Sequence, residues 1–179
     1  MIIWISSYPK SGNTWVRSLL SAYMYSEDGS FDFKLLDKIK QFPDRRYLDF
    51  FLKKYKNIKQ VSEYWIAAQD RINLFNKGIT FLKTHSALCT LENNAFTNKI
   101  NTKAAIYIVR DPRNVVTSIS HHYSLNIKES FDFLKDTSRM LIKNEYGKAD
   151  YGIATVLGSW SDHYKSWINL KFAPLKIIK

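Results

Sequence analysis

Ile2-Ile3-Trp4-Ile5-Ser6-Ser7-Tyr8-Pro9-Lys10-Ser11-Gly12-Asn13-Thr14-Trp15 stands at the start of the chain. It reads in three parts. Residues 2–6 are apolar without polar alternation, which predicts a strand buried on both faces. Residues 7–11 are small or turn-forming, and residues 12–25 carry a helical pattern. A strand feeding a helix through such a loop leaves the N–H groups of residues 11–15 pointing at one spot. With the helix dipole they make a nest for a phosphate-like anion. Gly12 permits close backbone approach, the Ser11 and Thr14 hydroxyls can donate, and Lys10 adds a charge at the lip. An ordinary helix-capping turn accounts for the same residues. The triphosphate loop G-x-x-x-x-G-K-[ST] does not match, because Lys10 precedes Gly12 and the leading glycine is absent.

Working outward, residues 79–84, 104–109 and 175–178 repeat the short β-rich run. Helical patterns lie between them at 62–76, 112–123 and 153–168. In the first, Trp65, Ala68, Ile72 and Phe75 share a face; in the last, Ile153, Val156, Leu157, Trp160, Tyr164, Trp167 and Ile168 recur at helical spacing. Alternation of this kind predicts an α/β three-layer sandwich around a central parallel sheet of about four strands. No internal repeat or linker divides the chain, so residues 1–179 form a single domain.

Two more strand ends carry chemistry. Arg110-Asp111-Pro112-Arg113 follows the third run, with Asp111 as N-cap and Pro112 at the first helical position. Arg110 then projects from the carboxyl end of a parallel strand, where α/β folds bind ligands, and Ser118 falls two turns into the helix. An ion pair for Arg110 and packing for Ser118 are the plain alternatives. Lys83-Thr84-His85 closes the second run, placing a cation and a candidate general base at the same edge; a satisfied loop histidine is the alternative for His85. His121, His122 and His163 fall in helical patterns and read as structural. No His/Cys/Asp spacing indicates a metal site.

Composition bounds the partners. Of 179 residues, 27 are basic and 16 acidic, a formal charge of +11 that favours anionic partners. Nine Lys/Arg against three Asp fall in residues 34–59, which reads as solvated surface. Only six Gly and four Pro exclude collagen and low-complexity disorder, and the single Cys89 excludes a disulfide scaffold. The apolar start spans five residues, too few for a signal peptide, and no run approaches the ~20 needed to cross a bilayer. A cytoplasmic setting is the expectation, and no nucleic-acid recognition motif accompanies the charge.

The three segments, in this order, resemble the PAPS-dependent sulfotransferase family. Tyr8 through Trp15 is similar to its 5′-phosphosulfate loop, Y-P-K-[ST]-G-[TN]-T-W. Arg110 through Ser118 resembles its 3′-phosphate motif, and Lys83-Thr84-His85 its K-T-H element. The resemblance implies a nucleotide-kinase-like fold and transfer of a sulfuryl group from PAPS (3′-phosphoadenylyl sulfate) to a hydroxyl or amine of a small-molecule or glycan acceptor, without a metal. It implies that Lys10 stabilises the leaving group and that Ser11, Gly12, Asn13 and Thr14 hold the 5′-phosphate. Trp15 would stack on adenine, Arg110 and Ser118 would hold the 3′-phosphate, and His85 would be the base, assisted by Lys83. Against the family pattern the chain lacks the Y-E-D segment and the R-K-G loop, so the expected domain is C-terminally incomplete. The competing expectations are a remnant that at most binds PAP or PAPS, and a nucleotide-kinase-like protein.

Overall fold

A computed structural model describes residues 1–53, 57–141 and 153–179. The chain runs through β1 (Ile2–Ser7), α1 (Asn13–Tyr25), a 3-10 turn (Phe33–Lys38), β2 (Lys40–Gln41), α2 (Arg45–Leu48) and α3 (Ile58–Ser62). It continues with α4 (Trp65–Phe75), β3 (Thr80–Thr84), the hairpin of β4 (Thr90–Leu91) and β5 (Asn94–Ala95), and β6 (Thr102–Ile108). Last come α5 (Pro112–Tyr123), α6 (Ile127–Lys135), the pair β7 (Met140–Leu141) and β8 (Thr155–Val156), α7 (Trp160–Ile168) and β9 (Leu175–Ile178).

Five strands form the main sheet in the order β2-β3-β1-β6-β9, all parallel. The four predicted runs are its four longest strands. The fifth, β2, is two residues inside the basic stretch, where it pairs Lys40 with Leu82 and Gln41 with Lys83. So short a strand has no periodicity to read. The same stretch also sends Ile39, Phe42 and Leu48 into the core, so it is not surface throughout; residues 54–56 of it lie outside the described residues.

β1 is central because its residues suit burial on both faces. Ile2, Trp4 and Ile5 are fully buried. Trp4 meets Phe42 and Phe96 at centroid distances of 5.7 and 5.2 Å, and its indole N–H donates to Thr102 Oγ1 at 3.0 Å. That bond satisfies the one polar atom such a ring brings inside. Trp65, Tyr107 and Trp167 extend this cluster, and a second gathers Tyr8, Val115, Ile119, Phe133 and Leu157 under α5 and α6.

Two helical expectations are corrected. Residues 153–168 do not form one helix: Thr155–Val156 pairs antiparallel with Met140–Leu141, and the helix begins only at Trp160. Gly158 adopts φ +67, its N–H and that of Leu157 donate to the Arg139 carbonyl, and Ser159 then caps α7 by accepting from the Asp162 N–H. Apolar residues at positions 153, 156 and 157 serve a buried extended segment as well as a helix face, and Gly-Ser marks the break. Phe75 also departs from the buried face of α4; it ends the helix and stays 65% exposed, with the Arg71 guanidinium 4.7 Å above its ring.

Candidate active site at the carboxyl edge of the sheet

Parallel register brings the three motifs together. Ser6 pairs with Thr84 and Ser7 with Ile108, so residues just beyond β1, β3 and β6 emerge side by side. One cleft of about 440 Å³ there is lined by Lys10, Gly12, Asn13, Thr14, Trp15, Lys83, His85, Arg110, Ser118 and His122. Every candidate residue but Ser11 lines it, and Ser11 lines an adjoining cavity of about 540 Å³ that shares Gly12, Trp15 and Arg110.

The first wall is the loop and the start of α1. Lys10 and Gly12 both take positive φ, +66 and +99, which turns the chain from strand to helix within a few residues. Gly12 occupies the N-cap and no side chain caps the helix. The N–H groups of the first turn, which have no intrahelical acceptor, are thus presented to the cleft with the positive end of the dipole. The Asn13 side chain does not contribute there. Its Nδ2 donates inward to the Ile5 carbonyl (3.1 Å) and to Ser7 Oγ (3.2 Å), anchoring the loop on the strand. Ser11 is 6% exposed and its Oγ has no hydrogen-bond partner. An orphaned hydroxyl in an uncapped helix start suits a phosphate oxygen. Trp15 is 71% exposed, so it does not pack in the core, and its indole stands between the two cavities.

α5 offers the contrast. Its N-terminus is capped by Asp111, whose carboxylate accepts from the Arg113 N–H and pairs with the Arg113 guanidinium. Those bonds hold Asp111 well below the usual carboxylate range. Arg113 therefore supports the cap, while Arg110 turns back and donates to the Lys10 carbonyl at 3.0 Å, tying the third motif to the first. Ser118 and His122, one turn apart, place one face of α5 on the cleft. The reading of His122 as purely structural missed this; the signal was its i+4 spacing from Ser118.

His85 forms the floor. It is 6% exposed, and Nδ1–H donates to the Ser7 carbonyl at 2.7 Å, with Ser7 Oγ 3.3 Å away. A carbonyl can only accept, so the proton is fixed on Nδ1 and the lone pair on Nε2. Burial above all, then the nearby Lys83, holds its pKa well below that of an ordinary imidazole. His163, on α7, is fully buried. Among the described residues that line the cleft there is no carboxylate, whereas Lys10, Lys83 and Arg110 are cationic. Among the described residues no cluster of His, Cys, Asp or Glu could hold a metal ion, and no helix is long and apolar enough to cross a membrane.

The chain is similar to known proteins along nearly its whole length. Luciferin sulfotransferase of Photinus pyralis is 28% identical over 168 residues, covering 90% of this chain and 43% of that protein. Retinol dehydratase, solved with androsterone and the inactive cofactor PAP, superposes with a TM-score of 0.50 at 16% identity over 97% of this chain and 53% of that one. A second retinol dehydratase structure, with retinol and PAP, gives 0.48 at 18% identity over 99% and 54%. The chain thus spans about half the length of the relatives it matches. Its parallel five-stranded sheet is the nucleotide-kinase-like architecture of those proteins. The Sulfotransferase domain family matches residues 2–178, and on that near-complete match the chain belongs to the sulfotransferase family.

Proposed function

We propose that this chain carries the donor half-site and base of a PAPS-dependent sulfotransferase, moving a sulfuryl group to the hydroxyl or amine of a small-molecule or glycan acceptor. The observation that supports this best is the convergence of Lys10, Lys83, His85, Arg110 and Ser118 on one cleft at an uncapped helix start. The groups match the substrate's charges. The α1 N-terminus, Ser11 Oγ and Lys10 face the position of a 5′-phosphosulfate. Arg110 and Ser118, which line the same cleft, suit the 3′-phosphate that separates PAPS from ATP-like nucleotides, and Trp15 offers an exposed face to the base. Retinol dehydratase, similar in fold and solved with androsterone and the inactive cofactor PAP, supports this reading.

In the proposed reaction the acceptor oxygen or nitrogen attacks sulfur as the bond to the bridging phosphate oxygen breaks, and PAP leaves with the electron pair. His85 takes the acceptor's proton on Nε2, the nitrogen its Ser7 bond keeps unprotonated. Lys10 meets the charge developing on the bridging oxygen, and Lys83 offsets charge on the sulfuryl group. Positioning and electrostatics suffice for such an in-line transfer. A cytoplasmic setting, with PAPS supplied there, completes the reading.

Transfer of radiolabelled sulfate from PAPS to a panel of phenols, sterols, amines and glycans tests the activity. Thermal shifts test the site: PAP should raise Tm well above the shift given by AMP. Equal shifts would contradict the assignment of Arg110 and Ser118. A PAP shift with no transfer to any acceptor would establish the binding-only alternative.

A further inference from the structure

Behind the cleft, α7 grips the segment that follows β3. The Trp167 indole N–H donates to the Ser86 carbonyl at 3.0 Å, and the Leu88 N–H donates to Ser166 Oγ at 2.9 Å. From β8, the Val156 carbonyl accepts from the Ala87 N–H at 2.8 Å. The remaining member of this set is His163, which is fully buried and lies 3.1 Å through Nε2 from the His85 carbonyl. Its Nδ1 lies 2.9 Å from the Tyr107 hydroxyl. Only one proton arrangement satisfies both contacts of the neutral ring. The carbonyl must accept, so Nε2 carries the hydrogen, and Nδ1 accepts from the Tyr107 O–H. Tyr8 stands edge-on to the same ring, with centroids 5.5 Å apart.

One imidazole therefore touches two of the motif segments and the strand that leads into the third. Tyr8 begins the phosphate-loop motif, Tyr107 precedes Arg110 by three residues on β6, and His85 ends the K-T-H element. We propose that His163 is a positioning residue for His85: its Nε2–H fixes the His85 carbonyl and so aims the ring whose other end is held by the Ser7 carbonyl. The catalytic consequence rests on the sulfuryl-transfer reading; the geometric content does not. Because Trp167, Ser166 and Val156 hold residues 86–88 independently, loss of the His163 donor should leave the fold in place and displace chiefly the base. A misplacement of about 1 Å at a reacting group costs about 10²-fold in rate.

Two substitutions separate the two ring nitrogens. His163→Gln keeps a donor where Nε2 lies and forfeits the Nδ1 acceptor, whereas His163→Asn keeps an acceptor near Nδ1 and forfeits the donor. The Asn variant should lose about 10²-fold in kcat with KM for PAPS changed by less than about threefold, and the Gln variant should remain within about tenfold of wild type in kcat. Nitrogen-15 spectra of the imidazoles supply a readout free of turnover. Wild type should show His85 protonated on Nδ1 and His163 on Nε2, and His163→Asn should disturb the His85 signals more than His163→Gln does. Equal kcat in the two variants, or His85 signals untouched by both, would overturn the proposal. If wild type transfers sulfate to no acceptor, the sulfuryl-transfer reading fails and the spectra alone decide the positioning role. If neither variant folds, the wild-type spectrum decides, since a His163 proton on Nδ1 contradicts the assigned bond.

Discussion

His85 sits 6% exposed two residues from Lys83 in sequence, and both conditions disfavour its cation. A neutral imidazole at neutral pH is ready to accept a proton, and a low pKa moves the acid limb of the rate profile downward. Transfer should therefore stay near its maximum well below pH 6.5, the ordinary histidine value, before falling; kcat against pH checks this. His85→Asn should lower kcat by about 10²–10⁴-fold, the range for a lost general base, while leaving the PAP thermal shift intact. Lys10→Ala removes a charge facing the developing oxyanion and should cost about 10²–10³-fold in kcat; retained wild-type turnover would exclude its role. Lys83 and His85 were legible because they end a run of strand residues. His122 was not, since only the orientation of α5 tells a cleft-facing histidine from a packed one.

Among the elements, α1 does the most with the least sequence. Its uncapped start depends on Gly12, which holds φ +99 in open space: apart from its own chain neighbours, no atom of the described residues lies within 4 Å of where a Cβ would stand. Gly12→Ala thus meets backbone strain alone, about 1–2 kcal/mol, or a fall in Tm of about 2–8 °C for a chain of this size. Trp15→Ala makes the opposite prediction. An indole 71% exposed contributes little to folding, so Tm should move by the equivalent of no more than about 0.5 kcal/mol while the PAP shift shrinks. Calorimetry with and without PAP measures both. The element boundaries show where pattern reading succeeds. Residues 112–123 match α5 because Asp111-Pro112 is a start signal with a mechanism. Residues 153–168 misled because spacing of three and four also fits an extended segment joined to a helix by Gly158-Ser159.

For the whole molecule, two imidazoles folded in as neutral groups set the acid limit of stability. His163 titrates near 4 in the folded chain, through burial, against about 6.5 when unfolded. Between those values the unfolded chain binds the proton and the folded chain does not, so stability falls as pH drops below about 6.5. The loss from His163 reaches about 3 kcal/mol near pH 4, and His85 adds in the same direction. Urea midpoints between pH 7 and 4 should therefore decline before the carboxylates titrate; a flat curve across that window would contradict neutral burial. A parallel sheet with the motifs at its carboxyl edge followed from reading four apolar runs and three strand ends, whereas the order of the strands did not, and β2 and the β7–β8 pair, two residues per strand, were too short to carry a pattern. Cys89 carries a last consequence. Its thiol is pushed up to about 11 by burial, it follows directly on the segment gripped by α7, and it is the only sulfhydryl in the chain. At pH 8 about one thiol in a thousand is thiolate, so an aromatic disulfide reagent will label the protein chiefly through transient openings of that region. The labelling rate becomes a clock for how often the wall behind the base breathes, and nucleotide in the cleft should slow it.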